Sequence, residues 1–233
     1  MTNKHLSVQF NSELDSVSTQ IMIMGGLVET QVVTAVDVLK KLDMDLAEKV
    51  FQDEKKVNQM EVEIDQDLTS IIARRQPAAR DLRLLIAISK ATTNLERVGD
   101  EAAKIARMAK QIAETGIPKN IVFSGLLLIV DLVITSLRQS LDALARLDVD
   151  SAVIIMREDD KVDAEFDSFT RKLMTYMMED PRTISVCLNL MFVAKALERI
   201  GDHATNIAES VVYIVEGRDV RHLSTLQLDD MSL

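Results

Sequence analysis

The sequence predicts an all-α fold made of two tandem, pseudo-symmetric three-helix bundles, and three observations support this prediction. Aromatic residues make up only 3% of the chain, with 7 Gly, 3 Pro and no Trp, whereas strand-rich domains need more aromatic and turn residues. Apolar residues recur at the three- and four-residue spacing of helices along most of the chain. The segment LERVGDEAAKIA, which begins at Leu95, returns as LERIGDHATNIA at Leu197, which indicates an internal repeat.

The repeat extends well beyond this one segment. In the first half LDMDLAEKV and EKKVN are matched, in the same order, by LDVDSAVII and DDKVD in the second half. Duplication of a unit of about 105 residues is the simplest account of these matches. We therefore predict a first bundle over residues 1–116, a second bundle over residues 117–217 and a C-terminal tail over residues 218–233.

Each repeat contains three long predicted helices. Their apolar patterns cover residues 14–42, 46–72, 82–112, 125–147, 152–178 and 183–215. Short connections between such helices favour antiparallel packing. Pro77 and Pro181 suit helix starts, where a missing N–H group costs nothing. Asp45, Asp150 and Asp180 are the predicted N-caps, because their side chains can accept hydrogen bonds from the first turn.

The third helix of each repeat carries the most regular apolar stripe. It runs in steps of three and four residues from Leu84 to Ile112, and from Leu190 to Ile214 in the second copy. Stripes of this kind form seams between packed helices. We therefore expect the two bundles to lie side by side about a pseudo-twofold axis.

Charge and hydropathy limit the possible partners and location. The net charge of −10 repels nucleic acids and anionic membrane surfaces, so we expect no nucleic-acid partner. The single cysteine, Cys187, lies in an apolar run and fits a buried thiol in a reducing compartment. The segment GLLLIVDLVI is far shorter than a membrane span and indicates a core helix. With no recognisable signal peptide, these features predict a cytoplasmic protein that does not insert into the membrane.

The repeated motif places carboxylates where they repel one another. Glu96 and Asp100 lie four residues apart on one flank of their helix, beside the apolar seam, and Glu198 and Asp202 repeat this arrangement. Like charges at this spacing destabilise a helix. A bound cation would offset the repulsion.

The second helices carry acidic flanks of their own. In the first repeat the residues that share one flank are Glu54, Asn58, Glu61 and Asp65, and in the second they are Asp159, Asp163 and Asp167. If these flanks face the third helices, each bundle gathers oxygen ligands without histidine, which favours Mg, Mn, Fe or Ca over Zn. The Glu-x-x-His pattern of di-iron bundles is absent. Solvation, or pairing with Arg or Lys from a neighbouring helix, is the alternative.

The segments LERVGDEAAKIA, LERIGDHATNIAE, RRQPAARDLR and EGRDVRH resemble the PhoU family of bacterial phosphate-uptake regulators, and the resemblance covers nearly the whole chain. It implies a cytoplasmic adaptor rather than an enzyme, mostly dimeric. It also implies contacts with the ATP-binding subunit of a phosphate-specific ABC transporter and with a membrane sensor histidine kinase. Such proteins restrain the phosphate-starvation response when phosphate is plentiful.

The resemblance also implies metal ions bound through Glu/Asp-x-x-x-Asp motifs. Three pairs match the motif: Glu96 with Asp100, Glu198 with Asp202, and Asp159 with Asp163. Glu54 with Asn58 departs from it, although Glu61 with Asp65 fits one turn further on. We therefore expect divalent or trivalent metal ions, with Mg, Mn or Fe as candidates, and a ligand set in the first bundle that departs from the motif at Asn58.

Two other functions remain open from the residues alone. Several carboxylates able to hold adjacent cations would suit a metal-dependent phosphoesterase, although no nucleophile or general base is evident. Alternatively, the repeats could be packing duplicates in a structural protein that binds no metal. Arg97 and Arg199 point away from the apolar seams and are the predicted partner contacts.

Overall fold

The computed structural model describes residues 2–116 and 124–221, with side chains from residue 8 onward. These residues form six long helices and no strand, and thereby confirm the all-α prediction. The helices are α1 (Thr2–Lys41), α2 (Met44–Arg75), α3 (Ala79–Thr115), α4 (Ser124–Arg146), α5 (Val149–Glu179) and α6 (Ile184–Glu216). A short 3-10 turn, Pro181–Thr183, leads into α6.

The helices pack in two equivalent groups. Helices α1, α2 and α3 contact one another, and α4, α5 and α6 do the same. The groups meet chiefly through α3 and α6, which form the most extensive contact of any two helices, and α1 also touches α4. The bundle limits 1–116 and 117–217 and the tail 218–233 stay predictions, because residues 117–123 and 222–233 lie outside the described residues.

Helices α3 and α6 are buried on more than one face. The predicted stripes are buried from Ile88 to Ile112 and from Leu190 to Ile214, while Leu84 is only partly buried. Further positions outside the stripes are also buried, and most carry small side chains: Ala87, Thr92, Gly99, Ala103 and Ala106 in α3, and Ala194, Ala196, Gly201, Ala208 and Ser210 in α6. Small side chains let several helices approach one helix closely, so α3 and α6 form the centre of the molecule.

The helix caps differ in part from the prediction. Asp43 caps α2 by accepting two backbone N–H bonds of 2.9 and 3.3 Å, and Asp148 caps α5 by accepting one of 3.1 Å. The predicted caps Asp45 and Asp150 lie inside the first turns instead, because both helices begin earlier than the apolar pattern indicates. Asp180 is confirmed as the cap of the 3-10 turn. The error of two residues arises because each helix starts at an Asp-x-Asp segment, in which the first aspartate and not the second is the cap.

Two helices have the length and apolar composition that a membrane span requires: α1, over Val8–Lys41, and α4. Their most apolar windows are 50% and 39% buried within the molecule. Core helices meet the same criteria, and α4 contributes Ile129, Val133 and Leu137 to the buried core. Cys187 is also buried, as predicted, and burial raises the pKa of its thiol.

Candidate metal centre

Three carboxylates meet where α5 packs against α6. Asp163 of α5 and Glu198 and Asp202 of α6 each offer one oxygen, and these oxygens lie within 4.8 Å of one another. Two oxygens that bind the same cation at about 2.0 to 2.6 Å are at most about 5 Å apart. The second bundle therefore holds three oxygen ligands at distances that one cation can bridge.

The positions of these side chains follow from the four-residue spacing of the acidic residues on both helices. Glu198 and Asp202 lie one turn apart on the flank of α6, and Asp159 and Asp163 lie one turn apart on α5. Asp159 accepts a 3.0 Å hydrogen bond from the hydroxyl of Thr205, which lies one turn beyond Asp202 on α6. The two acidic flanks thus face one another in the second bundle, as the sequence predicts.

Burial and mutual repulsion raise the pKa values of carboxyl groups in and beside this cluster. Burial, followed by the charges of Glu198, Asp159 and Asp163, raises the pKa of Asp202 to about 6. Burial is also the largest cause of the raised pKa of Asp159 and of Asp163. Negative charge therefore concentrates between α5 and α6, where Lys195 offsets only part of it and a cation would stabilise the carboxylates.

Glu198 is the most enclosed member of the cluster, with 12% of its side chain exposed. Its Oε1 accepts a 2.5 Å hydrogen bond from the ammonium group of Lys195 on the same helix. Its Oε2 is buried and has no hydrogen-bond partner among the described residues. A buried carboxylate oxygen without a partner is costly, so this atom and the oxygens of Asp163 and Asp202 beside it fit a hard cation such as Mg, Mn or Fe.

The first bundle also brings acidic side chains of α2 and α3 together. Burial raises the pKa of Glu96, and the charges of Asp100 and Glu61 raise it further. The pKa of Glu61 is raised by burial and then by Asp65 and Asp100. These couplings show that four predicted ligands lie near one another across the two helices.

The remaining flank residues of α2 are engaged elsewhere or exposed. Glu54 accepts a 2.9 Å hydrogen bond from the guanidinium group of Arg107 on α3, so a cation would have to displace this ion pair. Asn58 is exposed, and Asp65 accepts a 3.3 Å hydrogen bond from the hydroxyl of Ser89. In the described part of the chain, a group of three carboxylates close enough to share one ion occurs in the second bundle but not in the first.

The two predicted partner contacts lie in different environments. Arg199 donates a 2.9 Å hydrogen bond to Glu101 and so connects α6 with α3. Arg97 is exposed and has no hydrogen-bond or ion-pair partner among the described residues. Both arginines line a cleft between α3 and α6 together with Asp100, Asp202 and His203. Arg199 is thus occupied within the chain, whereas Arg97 has a free guanidinium group.

Sequence reasoning missed the residues that complete these surroundings. Lys195, Thr205, Arg107 and Glu101 each contact a predicted site residue. The only signal available was positional, because Lys195 and Thr205 each lie three residues from a predicted ligand on the same helix. Arg107 and Glu101 act across helices, where the partner depends on the packing.

Gly99 and Gly201 are equivalent in the repeat but have different surroundings. A Cβ atom on Gly99 would lie 3.0 Å from Oε1 of Gln31, whose amide group donates to the Gly99 carbonyl oxygen at 3.1 Å. A Cβ atom on Gly201 would meet Val162 at 3.5 Å, an ordinary contact. Another helix therefore approaches closely at Gly99, whereas Val162 of α5 and Val133 of α4 leave more room at Gly201.

The six long helices, in two repeats with acidic inner flanks, define the protein as a duplicated helical-bundle protein with a candidate cation site. The PhoU domain family model matches residues 21–109 and again residues 126–211. The chain belongs to the PhoU family.

Curated relatives and solved structures agree with this assignment. The phosphate-specific transport system accessory protein PhoU of Escherichia coli is 47% identical over 230 residues, which cover 98% of this chain and 94% of the relative. A homologue from Burkholderia is 47% identical and matches over 100% of both chains. The crystal structure of PhoU from Pseudomonas aeruginosa has a TM-score of 0.87 at 48% identity, covering 90% of this chain and 100% of that one. The regulatory protein PhoU of Streptococcus pneumoniae has a TM-score of 0.82 at 25% identity, covering 91% and 99%.

Proposed function

We propose that this chain is a cytoplasmic regulator of phosphate uptake that restrains the phosphate-starvation response. In this proposal it couples the ATP-binding subunit of a phosphate-specific ABC transporter to a membrane sensor histidine kinase. The observation that carries the proposal is the match, over nearly the whole chain, to proteins named as accessory proteins of the phosphate-specific transport system. Membership of this family already supports an accessory role in phosphate transport.

In this proposal the chain acts by binding rather than by catalysis. The carboxylates between α5 and α6 are suited to holding an ion, because their oxygens converge and Oε2 of Glu198 lacks a partner. Around this cluster the ionisable neighbours are the ammonium group of Lys195, the guanidinium group of Arg199 and further carboxylates. This composition favours a structural cation over a phosphoesterase centre, which would also need a nucleophile or an activated water.

A cation in this cluster would neutralise charge between two helices. Asp163 lies on α5, and Glu198 and Asp202 lie on α6, so one ion would connect the two helices directly. The ion supplies electrostatic cross-linking, and the chain supplies the ligands on rigid helices. We propose that this connection stabilises the outer surface of the second bundle, with which the transporter or kinase makes contact.

Arg97 is the stronger of the two proposed partner contacts. Its guanidinium group is exposed and unpaired among the described residues, whereas Arg199 is paired with Glu101. An unpaired Arg at the junction of two bundles can bind a carboxylate of a partner, or of a second copy in a homodimer, through two hydrogen bonds.

The regulatory role is tested by deleting this chain from its native strain and measuring a phosphate-starvation promoter fused to a reporter. We expect high reporter activity even in phosphate-rich medium, and return to repression when the wild-type chain is supplied on a plasmid. Full repression in the deletion strain would contradict the proposal. An Asp131→Asn variant supplied on the plasmid is the control and should restore repression as the wild type does. Asp131 is an exposed carboxylate on α4 outside both acidic clusters.

A further inference from the structure

A polar cleft of about 340 Å³ lies between α3 and α6, apart from the carboxylate cluster of the second bundle. Its charged walls come from Lys90 and Arg97 of α3, Glu209 of α6, and Asp219 and Arg221 just after α6. Neutral hydroxyl and amide groups complete the lining: Ser89, Thr93, Asn94, Asn206, Ser210 and Tyr213. The volume lies near the lower end of the range of small-molecule sites, about 300 to 1,000 Å³.

Two of the charged residues in the cleft, Asp219 and Arg221, already form an ion pair with one another. The guanidinium group of Arg221 donates to both carboxylate oxygens of Asp219, at 2.9 and 2.5 Å. This pairing holds the pKa of Asp219 well below its usual range. Asp219 and Arg221 therefore contribute almost no net charge to the interior of the cleft.

The two remaining cations have no carboxylate partner. Neither Lys90 nor Arg97 lies within ion-pair distance of an acidic group among the described residues. The Lys90 ammonium group is placed over the ring of Tyr213, 5.1 Å from its centre. In a chain of net charge −10, a partly enclosed cleft with two unpaired cations and several neutral hydrogen-bonding groups is suited to an anion.

Glu209 is the one acidic group left in the cleft. Burial raises its pKa to about 7, with Asp219 and Asp159 acting in the same direction and Arg221 and Lys90 opposing them. At neutral pH this carboxyl group is therefore protonated in a large fraction of molecules, and a protonated carboxyl can donate a hydrogen bond to an anion. The cleft keeps an excess of positive charge in either protonation state.

We propose that this cleft binds a phosphate group, as inorganic phosphate or as a small phosphate monoester, through Lys90 and Arg97. A guanidinium group can bind two phosphate oxygens at once, and an ammonium group adds a point charge. The choice of phosphate over other oxyanions rests on the proposed role in phosphate regulation, while the anion site rests on the cleft alone. Binding here would place the ligand between the two bundles, in contact with both.

Isothermal titration calorimetry on the full-length purified chain tests this proposal, with inorganic phosphate in one arm and glycerol 3-phosphate in the other. We expect saturable binding to one site per chain, in at least one arm. The double variant Lys90→Met with Arg97→Gln should weaken that binding by at least about tenfold. The matched control, Lys110→Met with Arg80→Gln, removes the same charges from exposed positions of α3 outside the cleft and should bind as the wild type does.

A further variant distinguishes an electrostatic effect on ligand binding from a loss of binding caused by damage to the fold. Glu209→Gln removes a negative charge but keeps a donor, so it should bind at least as tightly as the wild type. Absence of saturable binding in both arms, or equal weakening in the double variant and its control, would overturn the proposal. Because the experiment uses the purified chain alone, either result leaves the reporter test of the regulatory role unaffected.

Discussion

Glu198 illustrates at the residue scale how a candidate ligand differs from an ordinary acidic residue on a helix surface. Its Oε1 is bound by Lys195, while its Oε2 is buried without a partner among the described residues. Glu54 lies on the acidic flank of α2 in the first bundle, but its carboxylate is paired with Arg107. The motif predicts both acidic flanks, yet their neighbours make the second bundle the better candidate for a cation site.

Glu209 gives a prediction about stability and pH. Its pKa rises from 4.5 to about 7 on folding, so the folded chain holds this proton more tightly than the unfolded chain does. Stability should fall as pH rises from 4.5 to about 7, and a shift of this size corresponds to about 3 kcal/mol. Because part of the group meets solvent, we expect Glu209→Gln to stabilise the chain at pH 8 by about 2 kcal/mol. At pH 4 it should have little effect.

Urea denaturation at pH 4 and pH 8, without phosphate or added metal, measures this effect. Glu114→Gln is the control, because Glu114 is an exposed carboxylate near the end of α3. An equal stability change at both pH values in the Glu209 variant would contradict the assignment.

At the element scale, the paired glycines of α3 and α6 give a second prediction. Replacing a helical Gly with Ala gains up to about 1 kcal/mol when the methyl group has room. Gly201→Ala should therefore stabilise the chain, since its new methyl group would meet Val162 at an ordinary distance. Gly99→Ala should gain less or destabilise, because its methyl group would press on the buried amide of Gln31. Thermal unfolding of the two variants checks this difference, and equal Tm changes would contradict it.

The helices themselves could largely be predicted, because apolar spacing reports which face is buried. All six exist, in the predicted order, and the stripes of α3 and α6 form the core. The caps of α2 and α5 were missed by two residues, since both helices begin at an Asp-x-Asp segment in which either aspartate can serve as a cap. A local hydrogen bond thus decides where each helix begins.

At the scale of the whole molecule, duplication made the architecture predictable and the site only partly so. Helical projection placed Asp159 and Asp163 opposite Glu198 and Asp202, as found in the second bundle. It could not show that Glu54 pairs with Arg107, or that Arg199 reaches Glu101 in the other bundle. Those contacts depend on how the helices are aligned against one another, which residue spacing along a single helix does not determine.

We propose that the carboxylates between α5 and α6 hold a metal ion. Elemental analysis by mass spectrometry, on protein purified without chelator, compares the wild type with the double variant Glu198→Gln, Asp202→Asn. The control is Asp131→Asn with Asp142→Asn, two exposed carboxylates of α4. We predict about one Mg, Mn or Fe ion per chain in the second bundle of the wild type and of the control, and its loss in the double variant. Equal metal content in all three proteins, or no metal in the wild type, would contradict the claim.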